Sequence, residues 1–397
     1  MRNIIITGGE LFNKGAQAMV FVAVDELKKR FPDHEIYVLS ELDQRRPKDE
    51  LEQYAFRFTG WYPVKFARAQ KSTLLRLACL MKNGDEFKAC EELYRNCDLM
   101  IDVSGFGFGQ AFGPKQLERY ADHLEFAKSF DIPVYLMPQS FGPFQFPEEK
   151  KAAAERIPEL LKTVKVICAR EQEGLAALRE TYGLQNVCLL PDLVLNNRGI
   201  DLRHIFRERK DLSVPEIPEN CVGVVPNQRI VDALGKDTAL KLYSDAIETV
   251  LEKGFAVCIL SHASVDIPFC KKLKECFSSD DRVLLLEQDF NCLEFNELVK
   301  SFQFLIASRF HALVHAYKNG VPCIAIGWAV KYQNLLKAFD QERFAFDMGM
   351  NPTKENLAVA VEDLSQRREK ESKRILARLQ VIQEKNVFDV LELDRKA

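Results

Sequence analysis

The sequence predicts an α/β protein of two doubly wound domains facing each other across a cleft, with helices at the C-terminus. Three observations carry this expectation. Short apolar strands alternate with helical stretches along most of the chain, which implies parallel sheets with helical crossovers. At 397 residues and 47% hydrophobic content, the chain exceeds the roughly 250–300 residues at which a single core stops growing. The alternation lapses once, near the middle, and then resumes.

Taken in order, NIIITG is a strand, KGAQAMVFVAVDELKKRF carries its apolar residues at helical spacing, and EIYVLS is the next strand. Residues 44–97 are less regular and read as an insertion with two helices. The alternation continues through the strand LMIDVSG, the helix PKQLERYADHLEFAKSF, the strand IPVYLMPQ and the helical stretch PEEKKAAAERIPELL. The strand VKVICA, the helix EQEGLAALRETYG and the strand NVCLLP complete a first domain over residues 1–195. Residues 196–219 are charged and broken by Pro215 and Pro218, so they read as a linker. A second domain over residues 220–355 opens with CVGVVPN. It runs through a helix near 237–252, the strand GFAVCILSH, a helix near 266–277 and the strand RVLLLE. It then reaches the buried strand FQFLIA, the helix HALVHAYKN closed by Gly320, and the buried strand PCIAIG. Residues 356–397, rich in Glu, Lys, Arg and Leu, predict one or two amphipathic helices, one of them crossing back to the first domain.

Net charge is only −3, with Lys and Arg distributed along the chain, so nucleic acid is not an expected partner. The eleven cysteines include no CxxC pair, the nearest spacings being Cys270 to Cys276 and Cys90 to Cys97. Zinc knuckles and a disulfide framework are therefore not expected. Cys168, Cys258 and Cys323 fall in buried-strand patterns, where cysteine acts as a small hydrophobe in a reducing compartment. The first strand begins by Asn3, and no run approaches the ~18 apolar residues of a membrane helix. A cytoplasmic protein without a transmembrane segment is expected.

Almost every strand ends in a small, polar or charged cluster: TGGELFNKG, DVSGFGFG, MPQSFGPF, CAREQ, LLPDL, VVPNQR, LSHASVD, ASRFH and GWAVKY. In open parallel sheets the carboxyl ends of strands face the ligand crevice, so two doubly wound domains would gather these ends in one cleft. Turns alone do not call for Arg170, Arg229, Arg309, His262, His311 and Lys331 in six of them, and the expected cleft is cationic. Ser308, Arg309 and His311 stand where FQFLIA runs into a helix start, whose free N–H groups and dipole suit a phosphate or carboxylate. The glycine loops TGGELFNKG and DVSGFGFG follow strands, but neither is GxGxxG. A dinucleotide cofactor is not expected, and a backbone nest for a ligand fits them better. HALVH sets His311 and His315 one turn apart without the Glu of HExxH, so no metal is expected.

At SRFHALVHAYKNGVPCIAIGWAVKY, together with NKGAQA, DVSGFGFG, MPQSFGPF, AREQEG and LLPDL, the chain resembles the polysaccharide pyruvyl transferases over roughly residues 1–332. The resemblance implies two Rossmann-like domains arranged as in GT-B glycosyltransferases, the first on the acceptor side and the second on the donor side. It implies transfer of an enolpyruvyl-derived group from phosphoenolpyruvate to a sugar hydroxyl, usually closing a cyclic ketal, with phosphoenolpyruvate as donor substrate and no further cofactor. The acceptor would be a sugar of a polysaccharide or of its lipid-linked precursor, which would bring a cytoplasmic enzyme to the inner membrane face without an anchor. Arg170 in CAREQ, and Arg309 and His311 in SRFH, match the family's basic positions for phosphoenolpyruvate. Gly174 departs from the pattern, since relatives often carry Ser shortly after the Arg and Glu.

Phosphoenolpyruvate packs a phosphate and a carboxylate onto three carbons, which calls for several cations or N–H donors; the planar fork of arginine suits both groups. Adding a hydroxyl to its enol carbon requires a proton on the methylene carbon. His311 is the natural acid, and Asp102 or Asp192 the candidate base. Asn13, Ser104, Gln139 and Ser140 are expected to line the cleft, with Arg229, His262 and Lys331 as secondary ligands. Each has a structural alternative: His311 and His262 satisfying local backbone or loop groups, Arg170 pairing with Glu171 or Glu173, and Asp102 capping a glycine-rich turn. Two other functions fit the same cleft, a glycosyltransferase using a nucleotide sugar and a noncatalytic sugar- or phosphate-binding regulator. Donor identity and turnover separate them. No motif encodes the oligomeric state or the choice between ketal and enolpyruvyl ether.

Overall fold

The computed structural model describes residues 2–60, 72–327, 329–347 and 352–393. Its first sheet contains β1 (Asn3–Thr7), β2 (Glu35–Leu39), β3 (Arg57–Thr59), β4 (Cys97–Asp102), β5 (Phe106–Phe108), β6 (Val134–Phe141), β7 (Val166–Ala169) and β8 (Val187–Leu189). The order is β3-β2-β1-β4-β6-β7-β8, with β5 paired to β6 off this path. The second sheet contains β9 (Cys221–Val225), β10 (Ala256–Leu260), β11 (Val283–Leu286), β12 (Leu305–Ala307), β13 (Cys323–Gly327) and β14 (Ala345–Asp347), in the order β11-β10-β9-β12-β13-β14. Every pairing is parallel. The central strands NIIIT and CVGVV are buried at every position, because helices cover both faces of each sheet. Strand order reverses between β1 and β4 and again between β9 and β12, which opens a crevice at the carboxyl ends of each pair.

The helix Lys14–Arg30 starts at the cap Asn13, whose side chain accepts from the Gly15 amide. It is buried from Ala18 to Leu27, because it packs against its own sheet, the short helices Leu193–Asn196 and Leu202–Ile205, and two helices of the second half, Cys292–Val299 and Phe310–Lys318. Polar groups tie it in place. Gln17 Oε1 accepts from the Cys292 amide at 2.7 Å, and the fully buried Asp25 accepts from His204 Nδ1 at 2.8 Å and the Asp201 amide at 3.1 Å. Asn13 also bridges Ala263 across the two halves.

Two stretches differ from the sequence expectation. Within 196–219 a one-turn helix, Leu202–Ile205, buries Ile205 and Phe206, and the Phe206 ring meets Phe21 and Tyr54. Two adjacent apolar residues are too few to show periodicity. The 44–97 stretch carries not only the helices Lys48–Glu52 and Thr73–Arg95 but also β3, which extends the sheet beyond β2; residues 61–71 of that stretch lie outside the described residues. At the C-terminus the helix Lys354–Ile382 packs on Lys236–Glu252, and the chain then crosses back. Asn196 Nδ2 donates to the carbonyls of Ile382 and Lys385, and Tyr135 Oη donates to that of Glu392. Among the described residues no helix is long and apolar enough to cross a membrane.

Candidate active site

The carboxyl ends of β1 and β4 open onto a cavity of about 730 Å³ between the two halves. One wall is formed by the loops that follow β1, β2 and β4. Arg170, Phe310, His311 and Lys331 form the other, with Asn13 and Ser104 also in the lining.

Asp102, at the end of β4, takes four donors: Ser104 N (3.1 Å), Ser104 Oγ (2.9 Å), Thr7 Oγ1 (3.0 Å) and Gln139 Nε2 (3.1 Å). Burial raises its pKa, and these hydrogen bonds oppose the rise. With its lone pairs engaged, Asp102 anchors the glycine loops and is not placed as a base. Gly8 beside it has φ +74°, and a Cβ there would stand 2.1 Å from Ser104 Oγ, so only glycine fits. Gln139 is fully buried behind Asp102 and does not line the cavity.

Arg170 is held on three sides. Nε donates to Glu171 Oε1 (3.0 Å), Nη1 to Asp192 Oδ2 (2.9 Å) and Nη2 to Ser140 Oγ (2.7 Å). Ser140 in turn donates to Glu171, so it supports the arginine from outside the cavity lining. Asp192 also caps the helix Leu193–Asn196 through the Val194 amide. Burial works against its charge, but His311 and Arg170 hold its carboxyl below the usual range. Asp192 therefore remains ionised and orients Arg170, which removes it too as the base. The Phe310 ring lies beneath both cations, 4.4 Å from Arg170 Cζ and 5.2 Å from Lys331 Nζ.

His311 Nε2 stands 3.8 Å from Asp192 Oδ2 and has no hydrogen-bond partner among the described residues. Its ring packs on Gly15, where a Cβ would come within 2.4 Å of Nδ1. Burial pushes its pKa down to about 4, with Arg170 and Lys331 adding to the shift against the pull of Asp192. Lys331 is pushed down to about 7, first by burial and then by Arg170. Near neutral pH the His311 ring is therefore neutral, while Lys331 stands close to its titration point.

The remaining sequence candidates lie elsewhere. Arg309 turns away from the cavity lining and forms a bidentate pair with the fully buried Asp266, Nε to Oδ2 at 2.8 Å and Nη2 to Oδ1. Asp266 also accepts from the Gln228 and Ala263 amides, so the pair clamps the loops after β9, β10 and β12. Arg309 is accordingly structural in this arrangement, because its guanidinium lies outside the cavity lining and holds these loops together. His262 is 1% exposed, packed against Phe295 and His315 outside the cavity lining. Arg229 heads the helix Gln228–Leu234, also outside the lining, although near enough to lower the Lys331 pKa. The expected cationic cleft is close to balanced, with Arg45, Arg119, Arg170 and Lys331 facing Glu10, Glu41 and Asp102.

Two cavity residues escaped the sequence reading. Glu10 has no hydrogen-bond partner among the described residues, and burial followed by Asp43 raises its pKa. Its only signal was membership of the loop TGGELFNKG. Tyr120 presents a hydroxyl with no hydrogen-bond partner among the described residues, from the helix Pro114–Ser129, where an aromatic at helical spacing reads as core.

The polysaccharide pyruvyl transferase family model matches residues 13–329. The amylovoran biosynthesis protein AmsJ of Erwinia amylovora is 24% identical over 269 residues, which cover 63% of this chain and 61% of that protein. The chain thus spans less than two thirds of that relative's length. Among solved structures, the UDP-GlcNAc 2-epimerase from Methanocaldococcus jannaschii is similar with a TM-score of 0.55 at 14% identity, over 96% of this chain and 100% of that one. A glycosyltransferase from Rickettsia africae gives 0.55 at 13% identity, over 100% and 99%. UGT71G1 from Medicago truncatula, complexed with UDP-glucose, gives 0.54 at 12%, over 98% and 95%. At such identities the likeness is one of fold, the GT-B arrangement of two parallel-sheet domains. With its strand-end loops, cavity wall and most of its length inside the matched region, this chain belongs to the polysaccharide pyruvyl transferase family.

Proposed function

We propose that the protein transfers a pyruvyl group from phosphoenolpyruvate to a sugar hydroxyl of a polysaccharide or its lipid-linked precursor, closing a ketal. The grouping of Arg170, His311 and Lys331 around Phe310 on one cavity wall carries this reading. Glu171 and Asp192 fix Arg170 in place, and the proton capacity of the wall lies in Lys331 and His311. Phosphate and carboxylate arriving beside them favour their charged forms, so the site gains cations as the anion binds. Protonated His311 then gives its proton to the methylene carbon while the acceptor oxygen bonds to the enol carbon. Glu10, a lining carboxylate with no hydrogen-bond partner among the described residues, takes the acceptor's proton. Phosphate leaves with the electrons of its C–O bond, a second hydroxyl of the same sugar attacks that carbon to close the ring, and its proton passes to the now neutral His311. Arg170 and Lys331 hold the donor, while Arg309 keeps the surrounding loops in register.

Calorimetry of phosphoenolpyruvate binding, repeated in two buffers of different ionisation heat, tests this reading with UDP, CMP and nucleotide sugars alongside. Saturable binding of phosphoenolpyruvate with net proton uptake near pH 7.5 is expected. Preference for a nucleotide would move the assignment to glycosyl transfer, and no heat from phosphoenolpyruvate would sink it.

A further inference from the structure

The strands β7 and β8 carry two thiols close to the donor wall. Cys168 and Cys188 are register partners on these parallel strands, and their sulfurs stand 3.8 Å apart. Neighbouring strands lie about 4.7–4.9 Å apart, within the roughly 4.4–6.8 Å between Cα atoms that a disulfide spans. Closing the gap to the ~2.05 Å of an S–S bond takes a shift of about 2 Å. β8 is three residues long and forms the edge of its sheet, so ladder bonds hold it on one side only. It can therefore move more readily than a central strand.

Access and reactivity single out the same pair. Among the described residues, Cys188 and Cys276 are the cysteines that reach solvent, Cys188 half-buried and Cys276 exposed. Cys221 and Cys258, also neighbours, are fully buried on the inner strands β9 and β10 and closed to reagents. A hydrogen bond from Cys168 pulls the Cys188 thiol down to about 7, and Arg179 adds to this against the effect of burial. Much of Cys188 is thus thiolate near neutral pH, the form that attacks oxidants. The same two strand ends also carry the ion pair of the donor wall. Arg170 follows Cys168 by two residues and Asp192 follows Cys188 by four, and Arg170 Nη1 donates to Asp192 Oδ2 at 2.9 Å. Drawing β8 toward β7 therefore shifts Asp192, which caps the Val194 amide, against an arginine that Ser140 holds from β6.

We propose that Cys168 and Cys188 are a reversible redox site, which weakens the donor wall by forming a disulfide when a peroxide is present. The Cys188 thiolate attacks one peroxide oxygen and breaks the O–O bond, becoming a sulfenic acid; the other oxygen takes a proton and leaves as water or an alcohol. The Cys168 sulfur then displaces the sulfenic hydroxyl, which departs as water with the Cys168 proton. The two electrons lost by the thiols are those that reduce the peroxide. Two molecules of a small thiol restore both cysteines and leave as their own disulfide. In a reducing compartment such a bond is transient, as a sensor requires. The inference deepens the proposed function, on which it rests for what the switch controls.

Treating the full chain with hydrogen peroxide tests it, read by tryptic mass spectrometry, phosphoenolpyruvate calorimetry and amide exchange over residues 189–198. Trypsin places the two cysteines in separate peptides, 166–170 and 180–198, and oxidation should join them. Phosphoenolpyruvate affinity should fall at least ~10-fold, exchange over 189–198 should quicken as the Asp192 cap loosens, and dithiothreitol should reverse both. Cys188→Ser should bind phosphoenolpyruvate like the native chain and keep that affinity in peroxide. Cys168→Ser should leave a Cys188 sulfenic acid that dimedone traps. No joined peptide, or a joined peptide with affinity and exchange unchanged, overturns the inference. A loss of affinity in peroxide that Cys188→Ser shares also overturns it, by assigning the effect to another residue. Joined peptides and quickened exchange in a chain that gives no phosphoenolpyruvate heat even when reduced would instead uphold the switch and reject the proposed reaction.

Discussion

Arg170 and Arg309 each follow a strand of a doubly wound sheet, each is an arginine before a helix, and the structure uses them in opposite ways. Arg170 reaches the cavity, where two carboxylates and a serine hold it over the Phe310 ring. Arg309 is spent on Asp266, which is fully buried and ties together three strand-end loops. A cation at a strand end is thus only half of a site. The other half is the carboxylate it meets, and whether that pair leaves the guanidinium beside the cavity.

Substitutions can break this contrast. The largest expected effect is that of Arg309→Ala, which strands the Asp266 carboxylate in the interior and should lower the unfolding free energy in urea by ~3–5 kcal/mol. A near-native urea midpoint accompanied by loss of phosphoenolpyruvate binding would exchange the roles of the two arginines. Next in size is the response to acid. Burial pushes His123 and His315 down to about 3 and His311 to about 4, against ~6.5 for an unfolded histidine. A depressed folded pKa favours the neutral form, so this stability is complete above about pH 6.5 and is lost as pH falls toward 4 and 3. Each histidine adds up to ~1.4 kcal/mol per pH unit, and a melting temperature flat from pH 7 to 4 would contradict the burial of these rings.

Smaller effects sharpen the cavity side. Arg170→Lys keeps the charge but loses the planar fork, and phosphoenolpyruvate affinity by calorimetry should fall ~10–100-fold, the worth of one charge-assisted hydrogen bond. Smallest is the pH dependence of binding itself. Lys331 sits near pKa 7 in the empty cavity, and a bound anion raises that value. Affinity should therefore be full below about pH 7 and decline above it by at most ~10-fold per unit. Lys331→Met should flatten that decline.

Much of the fold was legible because parallel strands covered on both faces read as unbroken apolar runs, as in NIIIT and CVGVV. The missed strands β3, β5 and β14 are three residues each, RFT, FGF and AFD, too short to show either a run or an alternation. That Arg170, His311 and Lys331 line the cavity was legible because each stands just past a strand, where the cavity opens. Arg309 gave the same local signal, and its partner Asp266 lies 43 positions earlier in the chain, outside any motif. Glu10 and Tyr120 owe their place to the packing of one loop and one helix around the cavity, which residue type and spacing do not report.

Phosphoenolpyruvate affinity compared between Arg170→Lys and Arg309→Lys, both checked for native melting at pH 7, tests the central assignment most directly. The expected result is a ~10–100-fold loss in the first and native affinity in the second. Native affinity in the first with loss in the second would contradict the placement of the donor on the Arg170, His311 and Lys331 wall.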